Sequence, residues 1–152
     1  MNEKTYIIDI AAPCDADAIA EAEEICFSDP WSSGGIAHFS SCESAFVICA
    51  KDEGGAICGY AIGSFAAGEG ELLRIAVLPD RRSTGLGRAI LDKFICLMSF
   101  RNVTALFLEV RASNSSAIDL YKSTGFEEYT VRRNYYKNPA EDAVMMRLDL
   151  GE

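Results

Sequence analysis

Seven consecutive residues, Arg82-Ser83-Thr84-Gly85-Leu86-Gly87-Arg88, are the part of this 152-residue chain best suited to hold a charged ligand. They follow an apolar run, Leu72 to Leu78, that reads as a strand, and they open a helix predicted from roughly Gly87 to Ser99. Leu86, Ile90, Phe94 and Leu97 recur along that helix at the spacing of one helical face. A tight turn from strand into helix leaves several backbone N–H groups unpaired and pointing one way. Together with the positive end of the helix dipole they form a site for phosphate. Gly85 and Gly87 allow the backbone to approach an anion without a Cβ in the way. The pattern is neither a P-loop, since no Gly-Lys-Ser/Thr follows, nor the three-glycine dinucleotide fingerprint. Arg81, Arg82 and Arg88 crowd the turn in a chain of net charge −9. The ligand expected here carries a pyrophosphate.

A second block runs from Leu108 through Glu109, Val110, Arg111 and Asn114 to Tyr121, and on to Gly125-Phe126. Glu109 lies inside an apolar strand. A carboxylate there is exposed at an edge, paired with a cation such as Arg111, or kept for proton transfer. Tyr121 shares a helix face with Ala117 and Ile118, which suits a packed ring as well as a phenol held for chemistry. Asn114 stands where a helix N-cap belongs. A carboxylate and a phenol are a workable general base and general acid at neutral pH.

The elements that must position these groups alternate along the chain. Strands are expected at Thr5 to Ile10, Ala45 to Ala50, Ile57 to Phe65, Leu72 to Leu78, Ala105 to Val110, Phe126 to Tyr136 and Ala143 to Leu150. Helices are expected at Pro13 to Phe27, around Gly35 to Phe39, at Gly87 to Ser99 and at Ser115 to Thr124, the last closed by Gly125. Gly68-Glu69-Gly70 reads as the turn before the Leu72 strand. The fold class is α/β: a mixed sheet with helices on its faces.

Composition narrows the function classes. Hydrophobic residues make up 49% and charged residues 24%, as in a globular fold. Residues 1–152 read as one domain, with no repeat or linker to divide them. The first residues, Met1 to Asp9, lack the apolar core of a signal peptide, and no run is long enough to span a bilayer. An acidic chain argues against nucleic-acid binding and suits a cationic partner such as a peptide amine. Cys14, Cys26, Cys42, Cys49, Cys58 and Cys96 form no C-x-x-C pair and read as reduced small hydrophobes of a cytoplasmic protein. With His38 the single histidine, no metal site is expected.

The loop from Arg82 to Arg88, then Asn114, Tyr121 and Gly125-Phe126, resemble the GNAT acyltransferases, which use acetyl-CoA. Leu108-Glu109-Val110-Arg111-Ala112-Ser113-Asn114, Arg132-Arg133-Asn134-Tyr135-Tyr136, Asp29-Pro30-Trp31-Ser32 and Ile75-Ala76-Val77 are similar to the bacterial RimI group, the ribosomal-protein-alanine N-acetyltransferases. Arg74 departs from that pattern, because RimI-like proteins often carry asparagine just before the Ile-Ala-Val run. The resemblance implies a central, mostly antiparallel sheet with a splayed parallel pair, flanked by helices. It implies that Arg82, Ser83, Thr84, Gly85, Leu86, Gly87 and Arg88 hold the CoA pyrophosphate. Ile75, Ala76 and Val77 would offer backbone groups to the pantetheine arm and the thioester carbonyl, and Asn114 would contact the cofactor from the other side. Glu109 would then be the general base for the attacking amine and Tyr121 the general acid for the departing thiolate, with no acyl-cysteine needed.

At pH 7 an α-amine (pKa about 7.8) and a lysine amine (about 10.4) differ roughly 400-fold in neutral fraction, or about 3.5 kcal/mol. An N-terminus is therefore the easier nucleophile. The resemblance implies the N-terminal alanine of a small-subunit ribosomal protein as acceptor, with Trp31, Tyr135 and Tyr136 available to line a peptide groove. Two alternatives remain: acetylation of another amine (lysine, or a small polyamine or antibiotic), and a non-catalytic acetyl-CoA sensor. Oligomeric state is not legible in the sequence.

Overall fold

The apolar runs form seven strands and four helices in the computed structural model, which describes residues 5–151. In chain order these are β1 (Ile7–Ile10), α1 (Ala16–Cys26), α2 (Ser33–Ser41), β2 (Ala45–Lys51), β3 (Ile57–Ala66), β4 (Glu69–Val77), α3 (Leu86–Phe100), β5 (Ala105–Arg111), α4 (Ser115–Ser123), β6 (Glu127–Tyr136) and β7 (Glu141–Asp149). The N-terminal reading at positions 1–4 and the last residue of the expected 1–152 unit lie outside the described residues.

Two boundaries differ from expectation for local reasons. Pro13–Asp15 form a 3-10 turn, not helix; Asp15 accepts from the Ala12 amide at 2.8 Å, and α1 begins after it. The turn expected at Gly68-Glu69-Gly70 lies one residue earlier. Ala67 and Gly68, both at positive φ (51° and 81°), make a two-residue hairpin, so Glu69 pairs with Ala66 and Gly70 is already strand.

The strands form one sheet in the order β1-β2-β3-β4-β5-β7-β6. Only β4 and β5 run parallel, joined by the crossover helix α3. β7 enters between β5 and β6, so the chain's last strand is internal. Ile90, Leu91, Phe94 and Met98 of α3 pack with Tyr121 of α4 against one face of the sheet, while Ile19 and Ala22 of α1 and Ile36 of α2 pack against the other. The mostly antiparallel, helix-flanked sheet expected from the sequence is thereby borne out. Of the six cysteines only Cys49 and Cys58 are buried; Cys14 and Cys96 are exposed, and none forms a disulfide.

α3 lies close on β3 because Gly63 offers no side chain. A Cβ there would stand 2.4 Å from the Phe94 ring and 2.8 Å from the Glu71 carbonyl oxygen. Gly63→Ala is expected to cost about 3 kcal/mol, the upper end for overpacking, and to lower the thermal midpoint by roughly 6–12 °C. A melting curve reads this directly.

Candidate active site at the parting of two strands

β4 and β5 pair only from Glu69↔Ala105 to Leu72↔Leu108. Beyond that point β4 follows β3 and β5 follows β7, so a gap opens between Arg74–Val77 on one side and Glu109–Arg111 on the other. A β-bulge marks the parting: Gly63 faces Leu72 and Ile62 faces Arg74, leaving Leu73 unpaired.

The free edge of β4 carries backbone groups into the gap. The Leu78 amide donates to the Cys58 carbonyl at 2.9 Å, so it points towards β3. Strand alternation then turns Ala76 towards β3 as well, and Ile75 and Val77 towards the gap. Of the three residues expected to meet the pantetheine arm, two present peptide groups there. The Val77 carbonyl is already used, accepting from Nε of Arg82 at 2.9 Å.

At the head of the gap the chain turns through a second 3-10 turn, Pro79–Arg81, into α3. Gly85 is the N-cap at φ 83°, and Ser83 also has positive φ, 62°. Among the described residues no acceptor is found for the amides of Ser83, Thr84, Gly85, Leu86, Gly87 or Arg88. The Arg82 amide differs, donating to the Pro79 carbonyl at 3.4 Å. The run of free amides therefore begins at Ser83. Six consecutive free amides, three in the turn and three in the first turn of the fifteen-residue α3, fit a pyrophosphate. The arginine side chains are less available than their sequence positions imply. Arg81 pairs with Asp52 at 2.9 Å, and Arg88 with Asp92 at 3.1 Å.

Glu109 and Tyr121 lie on opposite faces of the sheet. Leu106, Leu108 and Val110 belong to the core under α3 and α4, so alternation puts Phe107, Glu109 and Arg111 on the other face. Tyr121 is 6% exposed on the α3–α4 side, its ring 5.8 Å from Phe126. Glu109 is exposed and has no ion-pair partner among the described residues. Arg111, one candidate partner, pairs instead with Glu141 at 3.4 Å and lies 4.4 Å over the Tyr136 ring. A solvated carboxylate with no ion-pair partner is free to accept a hydrogen bond from an incoming amine.

The Glu109 carboxylate beside its hydroxyl pushes the Tyr135 phenol up. Burial, with the charge of Glu109, pushes Tyr136 up to about 12. Burial raises Tyr121 well above the ordinary phenol range, with Tyr136 adding to it. Tyr136 thus feels the charge of Glu109, while its ring lies under the Arg111 guanidinium and edge-on to Tyr135 at 5.1 Å. Asn114 caps α4, its side-chain oxygen accepting from the Ala117 amide at 3.2 Å.

The structure also brings in residues that sequence reading left out. Glu23, fully buried in α1, accepts from the Tyr60 hydroxyl, from the Trp31 amide at 2.9 Å and from Nε of Arg74 at 3.1 Å. Glu23 reads as one more acidic residue on an amphipathic helix, and only the register of α1 on β3 shows otherwise.

Comparison with known proteins agrees with this geometry. Residues 16–126 match the model of the acetyltransferase (GNAT) family. The ribosomal protein bS18-alanine N-acetyltransferase of Escherichia coli K12 is 39% identical over 138 residues, 90% of this chain and 92% of that one. Its Salmonella typhimurium counterpart is 37% identical over 145 residues, 94% of this chain and 97% of that one. The crystal structure of the Escherichia coli ribosomal-protein-S18-alanine N-acetyltransferase superposes with a TM-score of 0.88 at 37% identity, covering 97% of this chain and 96% of that one.

Proposed function

Because the chain belongs to the GNAT acetyltransferase family, we propose that it moves an acetyl group from acetyl-CoA to the N-terminal α-amine of a protein, the N-terminal alanine of ribosomal protein bS18. The observation that carries the acceptor is the similarity to the bS18-alanine enzymes, which covers nearly the whole chain. The reading places the reaction in the cytoplasm, where ribosomal proteins are made; no helix among the described residues is long and apolar enough to cross a membrane.

Bound acetyl-CoA supplies the activated acyl group, a thioester that the amine attacks directly. The Ser83–Arg88 amides take the pyrophosphate, and the Ile75 and Val77 edge takes the amides of the pantetheine arm. An N–H from that edge stabilises the negative charge developing on the thioester oxygen, fixed in place by the pairing of β4 with β3. Asn114, at the start of α4, borders the cofactor from the opposite side. On the α1–α2 face, Glu109 accepts the proton of the attacking amine, directly or through one water. On the α3–α4 face, Tyr121 gives a proton to the departing thiolate. Base and acid on opposite faces let the acceptor enter from one side and the cofactor from the other, so neither obstructs its partner. Trp31, Tyr135 and Tyr136 line the acceptor side.

A panel of amines tests the reading, with release of free CoA thiol as the signal. Transfer is expected to alanine-starting bS18 peptides and to be lost when their N-terminus is blocked. Transfer only to lysine side chains or small polyamines would replace the N-terminal reading with another acetyltransferase. Tight acetyl-CoA binding with no transfer to any amine would favour a sensor.

A further inference from the structure

The residue that departs from the RimI pattern, Arg74, is tied to the wall of the acceptor side. Its position follows from the bulge. Residues two apart on a regular strand share a face, so Arg74 would lie under α3 with Leu72. The unpaired Leu73 reverses the alternation and turns Arg74 to the α1–α2 face, the face of Glu109.

There its side chain, 13% exposed, closes a set of contacts on one stretch of chain. Nε meets Glu23 at 3.1 Å, and Nη2 donates to the Asp29 carbonyl at 2.7 Å and to its carboxylate at 3.3 Å. The guanidinium carbon lies 3.9 Å over the Phe27 ring and 5.1 Å from the Trp31 ring centre. Glu23 holds the Trp31 amide from beneath, and Trp31 stacks on Phe39 of α2 at 5.3 Å. Phe27 to Trp31, the connection between α1 and α2, is fastened to β4 through one guanidinium and one buried carboxylate. Removing the charge from Arg74 alone would leave Glu23 buried and uncompensated. The forked guanidinium makes its bonds and stacks at the same time, which an ammonium does not.

We propose that Arg74 is a positioning residue for the acceptor: it holds the Phe27–Trp31 connection as the rigid wall against which the incoming N-terminus docks, and does nothing for acetyl-CoA. This rests on the N-terminal acetylation reading. The cofactor is spared because its contacts come from the opposite face of the sheet and from the free edge of Ile75 and Val77, whose strand register is fixed by β3.

The decisive variant is Arg74→Lys, which keeps a cation for Glu23 and so keeps the fold. Its KM for the bS18 peptide is expected to rise about tenfold or more, and its KM for acetyl-CoA to stay within about twofold of wild type. Trp31 is the only tryptophan of the chain, so its fluorescence reports the wall alone. Quenching by acrylamide is expected to rise about twofold or more. The neutral pair Glu23→Gln/Arg74→Gln, which leaves no buried charge, is expected to show the same split. An unchanged peptide KM and unchanged quenching in Arg74→Lys, with an active wild type, overturn the inference and leave the function standing. Equal rises in both KM values overturn it too, since they mark general loosening. A wild type that acetylates no N-terminal peptide overturns the function, and this inference with it.

Discussion

Glu109→Gln is expected to lower kcat/KM for the peptide by about 10²–10⁴-fold, the range of a positioned general base, or roughly 3–5 kcal/mol of transition-state stabilisation. The substitution is nearly isosteric, at an exposed side chain with no ion pair among the described residues, so the melting temperature should not move. The defect then belongs to chemistry. Without a base, the variant waits for amine that is already neutral. Between pH 7 and pH 9 the neutral fraction of an α-amine of pKa about 7.8 grows about sevenfold, and the residual activity should follow it. Steady-state rates at both pH values check this. A variant within about threefold of wild type at pH 7 would remove Glu109 from the mechanism.

The same carboxylate shows how far the sequence is readable. That Glu109 lies in a strand follows from its apolar neighbours; whether it is paired does not. Arg111 is two residues away and on the same face, yet Arg111 turns to Glu141 and Tyr136. Glu141 is brought there by β7, whose insertion between β5 and β6 is a choice of spatial order. The turn with its free amides was legible because its cause is local: a strand, a glycine at positive φ, and a helix. The roles of its arginines were not, because Asp52, the partner of Arg81, comes from the distant β2–β3 turn. Asn114 was legible as a cap for the same local reason. Arg74 and Glu23 were the least readable pair. Their meeting depends on one bulged residue, Leu73, which reverses the face of everything after it without breaking the apolar pattern of the strand.

Tyr121→Phe is expected to lower kcat by about 10²-fold with little change in the KM for either substrate, because the hydroxyl is needed only when the thiolate leaves. The figure sits at the low end for acid catalysis because a thiolate, of pKa about 8.5, departs tolerably well without help. Packing survives the change: the ring stays against Phe126, and among the described residues no hydrogen bond to the Tyr121 hydroxyl is lost. The pH profile separates this role from a packing role. Burial raises the Tyr121 phenol, so its protonated form persists to higher pH than an ordinary tyrosine's, whose pKa is about 10. The acid is therefore present across the whole working range. Above the α-amine pKa near 8, kcat/KM of wild type should stay level to about pH 10, with no falling limb. An ordinary, solvated phenol acting as the acid would instead turn the profile down from about pH 9.5. Initial rates from pH 6 to pH 10.5 distinguish the two, and a Phe variant within about threefold of wild type throughout would assign the leaving-group proton to another donor.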